Sequence, residues 1–223
     1  MSHNSKIKLF RYHAPVEVLG PNKRAVIWVQ GCPFSCSSCI VPESWSQDAG
    51  KEITVSELAN WVLQQPDNIE GITLSGGEPM VQASQLIQLI NSVRQKRDVG
   101  VVCYTGYLWQ ELQKNGTNDQ KALLSYIDLL IDGRYLEQQH DSLRWRGSRN
   151  QKLLVLTPRY ANQVEQILAH EDHTSGVEFH LDANHQLAFS GVPHLPRFRE
   201  ILEEKMQAKG VVLQRTSEKN YRT

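Results

Sequence analysis

The stretch AVIWVQGCPFSCSSC, residues 25–39, joins a run of apolar residues directly to three closely spaced cysteines. Its first five residues are apolar and mostly β-branched, which predicts a buried strand over residues 25–29. Pro33 and the serines that follow interrupt this pattern and predict a loop. Because Cys32, Cys36 and Cys39 lie on that loop, the end of this strand is the first place to look for chemistry.

The spacing of the cysteines, C-x3-C-x2-C, leaves three interpretations open. Zinc normally takes four ligands, so Cys103 or a histidine would have to complete the site. Inert burial suits Cys103, which lies in the apolar run 101–103, but it does not suit three cysteines in a polar loop. An iron–sulfur cluster suits the three, because thiolates are its usual ligands. Three cysteines on a four-iron cluster would leave one iron free for a substrate or cofactor.

The composition excludes several classes of function. The 223 residues are 40% hydrophobic and 22% charged, which is enough to bury a core. Lys plus Arg and Asp plus Glu number 24 each, and this balance argues against nucleic acid as the main partner. No apolar run approaches the ~20 residues that span a bilayer, and residues 1–10 lack the apolar stretch of a secretory signal. We therefore expect a cytoplasmic protein without a membrane partner.

Apolar runs alternate with helical patterns over residues 25–156, which predicts an α/β fold. Strands separated by helices favour a parallel sheet or a partial barrel. The strands are predicted at residues 25–29, 71–74, 99–104, 129–131 and 153–156, and the helices at 56–65, 83–97, 107–114 and 119–126. Thr54 is the predicted cap of the first helix.

Residues 160–223 differ in pattern and are predicted to be an extension of a core that spans residues 1–159. Segments 177–181 and 186–190 predict a hairpin that turns at Ala183-Asn184, and residues 196–209 predict a helix. Two roles stay open for this α+β extension. It could dock another protein, or it could cover a substrate.

Polar motifs follow four of the predicted strands at the point where each strand ends. They occupy residues 31–39, 75–79, 105–107 and 132–135. In parallel α/β folds, active sites lie at the carboxyl ends of the strands. We therefore expect these four loops to meet on one edge of the sheet.

Two polar stretches offer groups that could bind a ligand. Gly76 and Gly77 would let the backbone approach a ligand closely, and Glu78 adds a carboxylate that could pair with an ammonium group. The alternative for this stretch is an ordinary tight turn with a solvated glutamate. Residues 144–151 form either a solvated loop or a site for the polar part of a ligand. The candidate ligand-binding residues of that second stretch are Arg146, Ser148, Asn150 and Gln151.

Together these motifs resemble those of the radical S-adenosylmethionine enzymes. The likeness is carried by the three cysteines followed by the stretch SGGEP, residues 75–79. Over roughly residues 16–157 the chain is similar to glycyl-radical-enzyme activases, and among them to the activating proteins of anaerobic ribonucleoside-triphosphate reductases. The similar stretches are residues 19–21 with Arg24, 26–32, 42–45, 104–107, 128–133 and 146–151. The resemblance implies a partial parallel (β/α) barrel of the radical S-adenosylmethionine type.

The resemblance also implies a set of cofactors. Cys32, Cys36 and Cys39 would hold a [4Fe-4S] cluster, and its fourth iron would chelate the amino and carboxylate groups of S-adenosylmethionine. Glu78 with the preceding glycines would hold the methionine ammonium group, and Ser38 and Ile40 would lie against the adenosyl part. The full set of residues that would contact this cofactor is Ser38, Cys39, Ile40, Gly76, Gly77, Glu78, Arg146, Ser148 and Asn150.

The implied reaction is the reductive cleavage of S-adenosylmethionine to methionine and a 5′-deoxyadenosyl radical. That radical would take a hydrogen atom from a glycine of a partner, an anaerobic ribonucleotide reductase, and a flavodoxin or ferredoxin would supply the electron. The cofactors carry such chemistry, while the protein positions and shields them. Two alternatives stay open. One is a radical S-adenosylmethionine enzyme that acts on a small molecule or a peptide, and the other is a non-catalytic module that binds zinc or a cluster.

Overall fold

Seven strands form the central sheet of the protein. A computed structural model describes residues 5–181 and 187–213. The strands are β1 (Lys6–Val16), β2 (Arg24–Val29), β3 (Lys51–Thr54), β4 (Gly71–Gly76), β5 (Gly100–Thr105), β6 (Leu129–Asp132) and β7 (Lys152–Val155). Their order in the sheet is β3-β1-β2-β4-β5-β6-β7, and β2, β4, β5 and β6 run parallel.

Helices connect the parallel strands, as the sequence periodicity predicts. They are α1 (Val55–Leu63), α2 (Ala83–Arg94), α3 (Trp109–Asn115) and α4 (Asn118–Leu124), and each overlaps a predicted helix. The predicted cap of α1 is confirmed. The Thr54 hydroxyl accepts a hydrogen bond from the amide of Glu57, whose carboxylate accepts one from the Thr54 amide.

The two sides of the sheet differ from the prediction. The fifth predicted strand, β7, runs antiparallel to β6. A parallel return needs a crossover, usually a helix, and residues 133–151 contain only a 3-10 turn at Glu137–Gln139. On the other side, β1 and β3 are antiparallel strands that were not predicted. In the part of the chain that the structure describes, the sheet is open with β3 and β7 as its edges. A mostly parallel α/β sheet is therefore present, and the expected partial barrel is not confirmed.

Both faces of the central strands are covered, which explains their continuous apolar sequences. On one face α1, α2 and α4 pack over a core that contains the fully buried Ile27, Leu74 and Leu86. On the other face α5 (Ala161–Ala169) packs its Val164 and Ile167 against strands β5, β6 and β7. No helix within the described ranges is long and apolar enough to cross a membrane.

The end of the chain contains the predicted hairpin and helix. The hairpin is formed by β8 (Val177–Leu181) and β9 (Leu187–Gly191), and the helix is α6 (Phe198–Gln207). The predicted turn at Ala183-Asn184 lies outside the described residues. Tyr160 and α5 belong to a core cluster of the main sheet, so the segment after residue 159 begins as part of the covering of that sheet. A domain division at this point stays a prediction.

The side chain of Arg24 joins the amino ends of three parallel strands. This first residue of β2 is 0% exposed. Its Nε donates a hydrogen bond to Thr73 Oγ1 at 2.6 Å, and its Nη2 donates to Ile72 O at 2.7 Å and to Gly100 O at 2.9 Å. The acceptors belong to β4 and β5, so one guanidinium fixes the relative height of β2, β4 and β5.

The charge of Arg24 is balanced by Glu70. The distance from Arg24 Nη1 to Glu70 Oε2 is 2.9 Å, and the Tyr160 hydroxyl lies 3.0 Å from the same Nη1. The Tyr160 hydroxyl also donates to Glu70 Oε2 at 2.7 Å. A buried charge is tolerated only when it is paired and hydrogen-bonded, and this network meets both conditions.

Replacing Arg24 with alanine should therefore lower the free energy of unfolding by about 3–5 kcal/mol, because it leaves buried acceptors without a partner. Arg24→Lys should recover only part of this loss, since an ammonium group lacks the forked donors of a guanidinium. Urea unfolding measures both effects. Lys6→Ala removes an exposed ion pair with Glu52 and should leave the free energy of unfolding almost unchanged. An equally small loss for Arg24→Ala would contradict this account.

Candidate functional site

The loops that follow the four parallel strands line one cavity, where the sequence predicts that they meet. Its volume is about 260 Å³. The strands end level with one another, since Val29 pairs with Gly76 and Thr105 pairs with Asp132. The cavity lining contributed by these loops includes Cys32, Cys36, Ser38, Cys39, Ile40, Gly76, Gly77, Glu78, Thr105, Gly106, Gly133 and Arg134.

The cysteine loop (residues 31–45) is closed at its base by its own backbone. The amide of Gly31 donates to Ser44 O at 2.8 Å, and the amide of Cys32 donates to Trp45 O at 3.0 Å. Inside the loop, the Cys39 amide donates to Cys36 O at 3.2 Å. The loop therefore holds a defined shape over its whole length.

Gln30 holds the same loop from beneath and was missed by the sequence analysis. Gln30 is buried, with only 3% of the residue exposed. Its Nε2 donates to Glu43 O at 2.9 Å and to Ser46 O at 2.8 Å. The available signal was an amide side chain directly after the apolar run of residues 25–29, where burial requires hydrogen-bond partners.

The three cysteines of this loop are free, partly buried thiols. Burial raises the pKa of all three, and the neighbouring Cys39 and Cys32 raise that of Cys36 further. A bound metal cation reverses this preference, because it stabilises the thiolate. Cys103 is fully buried in β5 and outside the cavity lining, in agreement with the inert role considered for it.

The donor geometry bears on the choice between zinc and a cluster. Among residues 5–181 and 187–213, no three His, Cys, Asp or Glu side chains are placed to hold a single metal ion. Structural zinc requires four ligands about 2.0–2.3 Å from one ion. In an iron–sulfur cluster the thiolates bind different irons and need not converge on one point. No preformed four-ligand zinc site is therefore present among the described residues.

Gly76 and Gly77 allow the chain at the end of β4 to pack backbone against backbone, Gly76 on strand β2 and Gly77 on the cysteine loop. Gly76 has a φ of +96°, and a Cβ there would lie 2.7 Å from Trp28 Cα. A Cβ at Gly77 would lie 2.3 Å from Gly31 O, which accepts the next amide at 2.8 Å. The sequence analysis assigned these glycines to the approach of a ligand. In the structure they permit the approach of the β4 loop to the cysteine loop, and they line the cavity as well.

Glu78 joins the loop after β4 to the loop after β5. It is 1% exposed, which excludes the alternative of a solvated glutamate. Its Oε1 accepts hydrogen bonds from Met80 N at 2.9 Å and Thr105 Oγ1 at 2.8 Å, and its Oε2 accepts one from Gly106 N at 2.8 Å. Burial raises its pKa to about 7 in spite of these three donors.

Aromatic and polar contacts close another side of the cavity. The Phe34 ring meets Tyr107 edge to face, with 4.7 Å between the ring centroids. The Ser38 hydroxyl donates to Glu137 Oε2 at 2.8 Å, which links the cysteine loop to the segment after β6. Ser38 and Ile40, the predicted neighbours of an adenosyl group, both line the cavity.

Of the four predicted ligand residues of the 144–151 stretch, Gln151 lines the cavity, and Arg146, Ser148 and Asn150 are not among its lining residues. Ser148 Oγ accepts a hydrogen bond from Leu136 N at 3.2 Å, and Asn150 donates to a carbonyl of the same segment at 2.8 Å. Arg146 is only 9% exposed. A direct cofactor contact for Arg146, Ser148 and Asn150 stays a prediction. The residues of this stretch that do line the cavity are Trp145, Gly147 and Gln151.

One side of the cavity comes from the C-terminal wall (residues 191–200), part of the extension for which the sequence analysis left open a role as a substrate cover. Its lining residues are Gly191, Val192, Pro193, Leu195, Arg197, Phe198, Arg199 and Glu200. Arg199 of this wall contacts Glu43, which lies 156 residues earlier in the chain, so no local pattern could reveal this pair.

Comparison with known proteins identifies relatives of the chain. The model of the family described as "4Fe-4S single cluster domain" matches residues 18–154. An anaerobic ribonucleoside-triphosphate reductase-activating protein of Vibrio cholerae is 34% identical over 151 residues, which cover 64% of this chain and 94% of that protein. The protein of the same name from Haemophilus influenzae is 35% identical over 145 residues, covering 61% and 91%. The one from Enterobacteria phage T4 is 31% identical over 144 residues, covering 61% and 86%.

Glu78 should make the stability of the metal-free protein decrease as the pH rises. Its pKa is about 7 in the folded state and 4.5 ordinarily, so the folded state binds more protons between these values. The free energy of unfolding then falls as the pH rises through this range, by about 3 kcal/mol relative to a Glu78→Gln variant.

Urea unfolding of both proteins between pH 4.5 and 7 measures this difference. His13, whose pKa is lowered by burial, contributes a slope of opposite sign. That slope is common to both proteins and cancels in the comparison. A difference that stays constant over the range would contradict the titration assigned to Glu78.

Proposed function

Because this chain belongs to the 4Fe-4S single cluster domain family, together with the activating proteins of anaerobic ribonucleoside-triphosphate reductase, we propose that it is a radical S-adenosylmethionine activase. It installs a glycyl radical on a partner enzyme, for which an anaerobic ribonucleotide reductase is the first candidate. The observation that carries the proposal is the meeting of three free thiols of one loop with the Gly76-Gly77-Glu78 loop at one cavity.

Cys32, Cys36 and Cys39 are the residues that would hold the [4Fe-4S] cluster. They fit it as three partly buried thiols on a loop closed at its base, while the fourth cysteine of the chain is buried elsewhere. The iron without a cysteine ligand would be left for the amino and carboxylate groups of S-adenosylmethionine. When bound, these cofactors supply one-electron reductive cleavage of the sulfonium and abstraction of a hydrogen atom from the substrate.

The loop after β4 would bind the methionine end of S-adenosylmethionine. The backbones of Gly76 and Gly77 reach the cavity, and the Glu78 carboxyl lies in the same wall. An ammonium group nearby would favour the ionised form of Glu78, whose pKa burial raises to about 7. Because three hydrogen bonds fix this carboxyl, it would act as a preorganised charge.

The remaining walls would shield the reaction. Phe34 and Tyr107 present aromatic surface beside the cysteines, and Trp145 adds a third ring at 4% exposure. Ser38 and Ile40 would lie against the adenosyl group. A site lined in this way excludes water and so limits side reactions of a reactive intermediate.

A flavodoxin or ferredoxin would supply the electron to the cluster. The candidate substrate is a glycine on the partner enzyme, since the relatives are named for the activation of anaerobic ribonucleoside-triphosphate reductase. The alternatives are a small molecule or a peptide as hydrogen donor. An experiment with the reductase itself must therefore identify the hydrogen-atom donor.

Cys36→Ala should abolish cluster assembly and S-adenosylmethionine cleavage, because it removes one of three cluster ligands. The measurement is anaerobic reconstitution with iron and sulfide, followed by electron paramagnetic resonance and chromatography of 5′-deoxyadenosine. Cys103→Ala is the matched control and should keep both properties, since this thiol lies outside the cavity. Full cleavage activity in Cys36→Ala, or zinc in place of a cluster in the wild type, would overturn the proposal.

The donor is tested by incubating the reduced, reconstituted protein and S-adenosylmethionine with an anaerobic ribonucleotide reductase. We expect a glycyl radical signal that depends on both the cofactor and the wild-type cysteines. Substitution of the radical-bearing glycine of the reductase by alanine should remove that signal. Cleavage of S-adenosylmethionine without any radical on the reductase would support the small-molecule or peptide alternative instead.

A further inference from the structure

The C-terminal wall faces the cysteine loop across the cavity. Eight residues between 191 and 200 line the same space as the three clustered cysteines. The wall lies well beyond residue 154, where the family match ends. Because the Vibrio cholerae relative is matched over 94% of its length, its remaining residues are too few to form a hairpin and a helix like those that carry this wall.

The first half of the wall is held by the hairpin β8–β9 and the sheet. Val192 packs against the cluster of Val16, Leu19 and Trp28, and its amide donates to Gly176 O at 2.9 Å. Further along, His194 O accepts a hydrogen bond from Ser142 Oγ at 3.1 Å. The wall is therefore placed by the body of the protein up to residue 194.

The second half of the wall is held by α6. Phe198 at the start of α6 packs against Phe189 and Phe179 of the hairpin, at centroid distances of 5.7 and 6.4 Å. Arg197, directly before α6, has a φ of +52°, which turns the chain sharply into the helix. Arg199, two residues after this turn, contacts the cysteine loop.

Arg199 forms a two-point contact with Glu43 of the cysteine loop. Its Nη1 lies 2.8 Å from Glu43 Oε2, and its Nη2 lies 2.6 Å from Glu43 Oε1. Nη1 also donates to Ile40 O at 3.3 Å, one residue after the ligand candidate Cys39. The side chains of Arg199 and Glu43 are 19% and 21% exposed, so the pair is largely shielded from water. Paired, charge-assisted hydrogen bonds of this type are directional and strong.

We propose that the C-terminal wall restricts access to the cofactor cavity, and that Arg199 is the positioning residue that holds this wall against the cysteine loop through Glu43. The wall limits which molecules reach the cysteines, so it contributes to substrate selection. The identity of the cavity as a cofactor site rests on the proposed function. The contact between the wall and the loop does not, and it can be tested in the metal-free protein.

The test compares the labelling rates of Cys39 by a small reagent, iodoacetamide, and a bulky one, a biotin-linked maleimide. The protein is kept metal-free, reduced and folded, and peptide mass spectrometry reads each cysteine separately. Arg199→Ala should raise the rate with the bulky reagent roughly five- to tenfold, because the loss of charged hydrogen bonds favours local opening of the wall. The rate with iodoacetamide should change much less, since a small reagent needs less opening.

Variants of the same contact separate positioning from a general loss of structure. Glu43→Gln keeps the shape of the side chain and should raise the bulky-reagent rate as Arg199→Ala does. The double variant should add little beyond Arg199→Ala, because that change already removes the contact with Glu43 together with those to Ile40 O and Glu203. Arg199→Lys, which keeps the charge, should restore part of the protection. Lys6→Ala, which removes an exposed ion pair with Glu52, is the control and should leave the labelling of Cys39 unchanged.

The outcomes distinguish the two proposals. Wild-type labelling in both Arg199→Ala and Glu43→Gln, or fully additive effects in the double variant, would overturn the role of Arg199. Equal acceleration at the fully buried Cys103 would also overturn it, since that result indicates global unfolding rather than opening of the wall. If labelling is accelerated selectively at Cys39 in the variants, but the reconstituted wild-type protein does not cleave S-adenosylmethionine, the role of the wall is upheld and the proposed function is overturned.

Discussion

The guanidinium of Arg24 sets the relative positions of the strands on which the site depends. It binds acceptors on β4 and β5 from the first residue of β2, so three amino ends are held at one height. Parallel strands of similar length that start level also end level. The loops that carry the cysteines, the two glycines and Thr105 therefore begin beside one another at the opposite edge. A buried charge at one end of the sheet thus governs the alignment of the other end.

At that opposite edge each loop is held by the next one. The carbonyl of Gly31 accepts a hydrogen bond from the loop after β4. The carboxylate of Glu78 accepts hydrogen bonds from Thr105 at the end of β5 and from Gly106 in the loop that follows. Ser38 then links the cysteine loop to Glu137 after β6. Most of these contacts use backbone groups or buried side chains, whose positions vary little. Such a frame suits a site that must hold three thiols in place while their burial disfavours the thiolate form.

Residues whose environment is determined locally were predictable from the sequence. The central strands are buried on both faces and read as apolar runs, and the cap at Thr54 follows from its spacing to Glu57. Strand β1 was missed because Lys6, Lys8 and Arg11 interrupt its apolar pattern. Two irregularities in its pairing with β2 also break the alternation of buried and exposed side chains along the strand. The predicted parallel direction of β7 was wrong. The lack of a helical pattern over residues 133–151 could have indicated an antiparallel return, because a parallel one needs a crossover. In the site, the three clustered cysteines and Glu78 were predictable because they lie in recognisable sequence motifs. Gln30 and Arg199 did not, because their roles depend on partners brought near only by folding.

The contact between Arg199 and Glu43 has a consequence for the order of events during biosynthesis. Arg199 follows the last clustered cysteine by 160 residues in the chain. Chains emerge from the ribosome and begin to fold from their amino end. The sheet and the cysteine loop can therefore exist as a folded unit before the residues that close the cavity have been made. During that interval the three thiols of the cysteine loop would face solvent on the side that the C-terminal wall later covers. Completion of the chain then narrows access to them, because the C-terminal wall lines the same cavity.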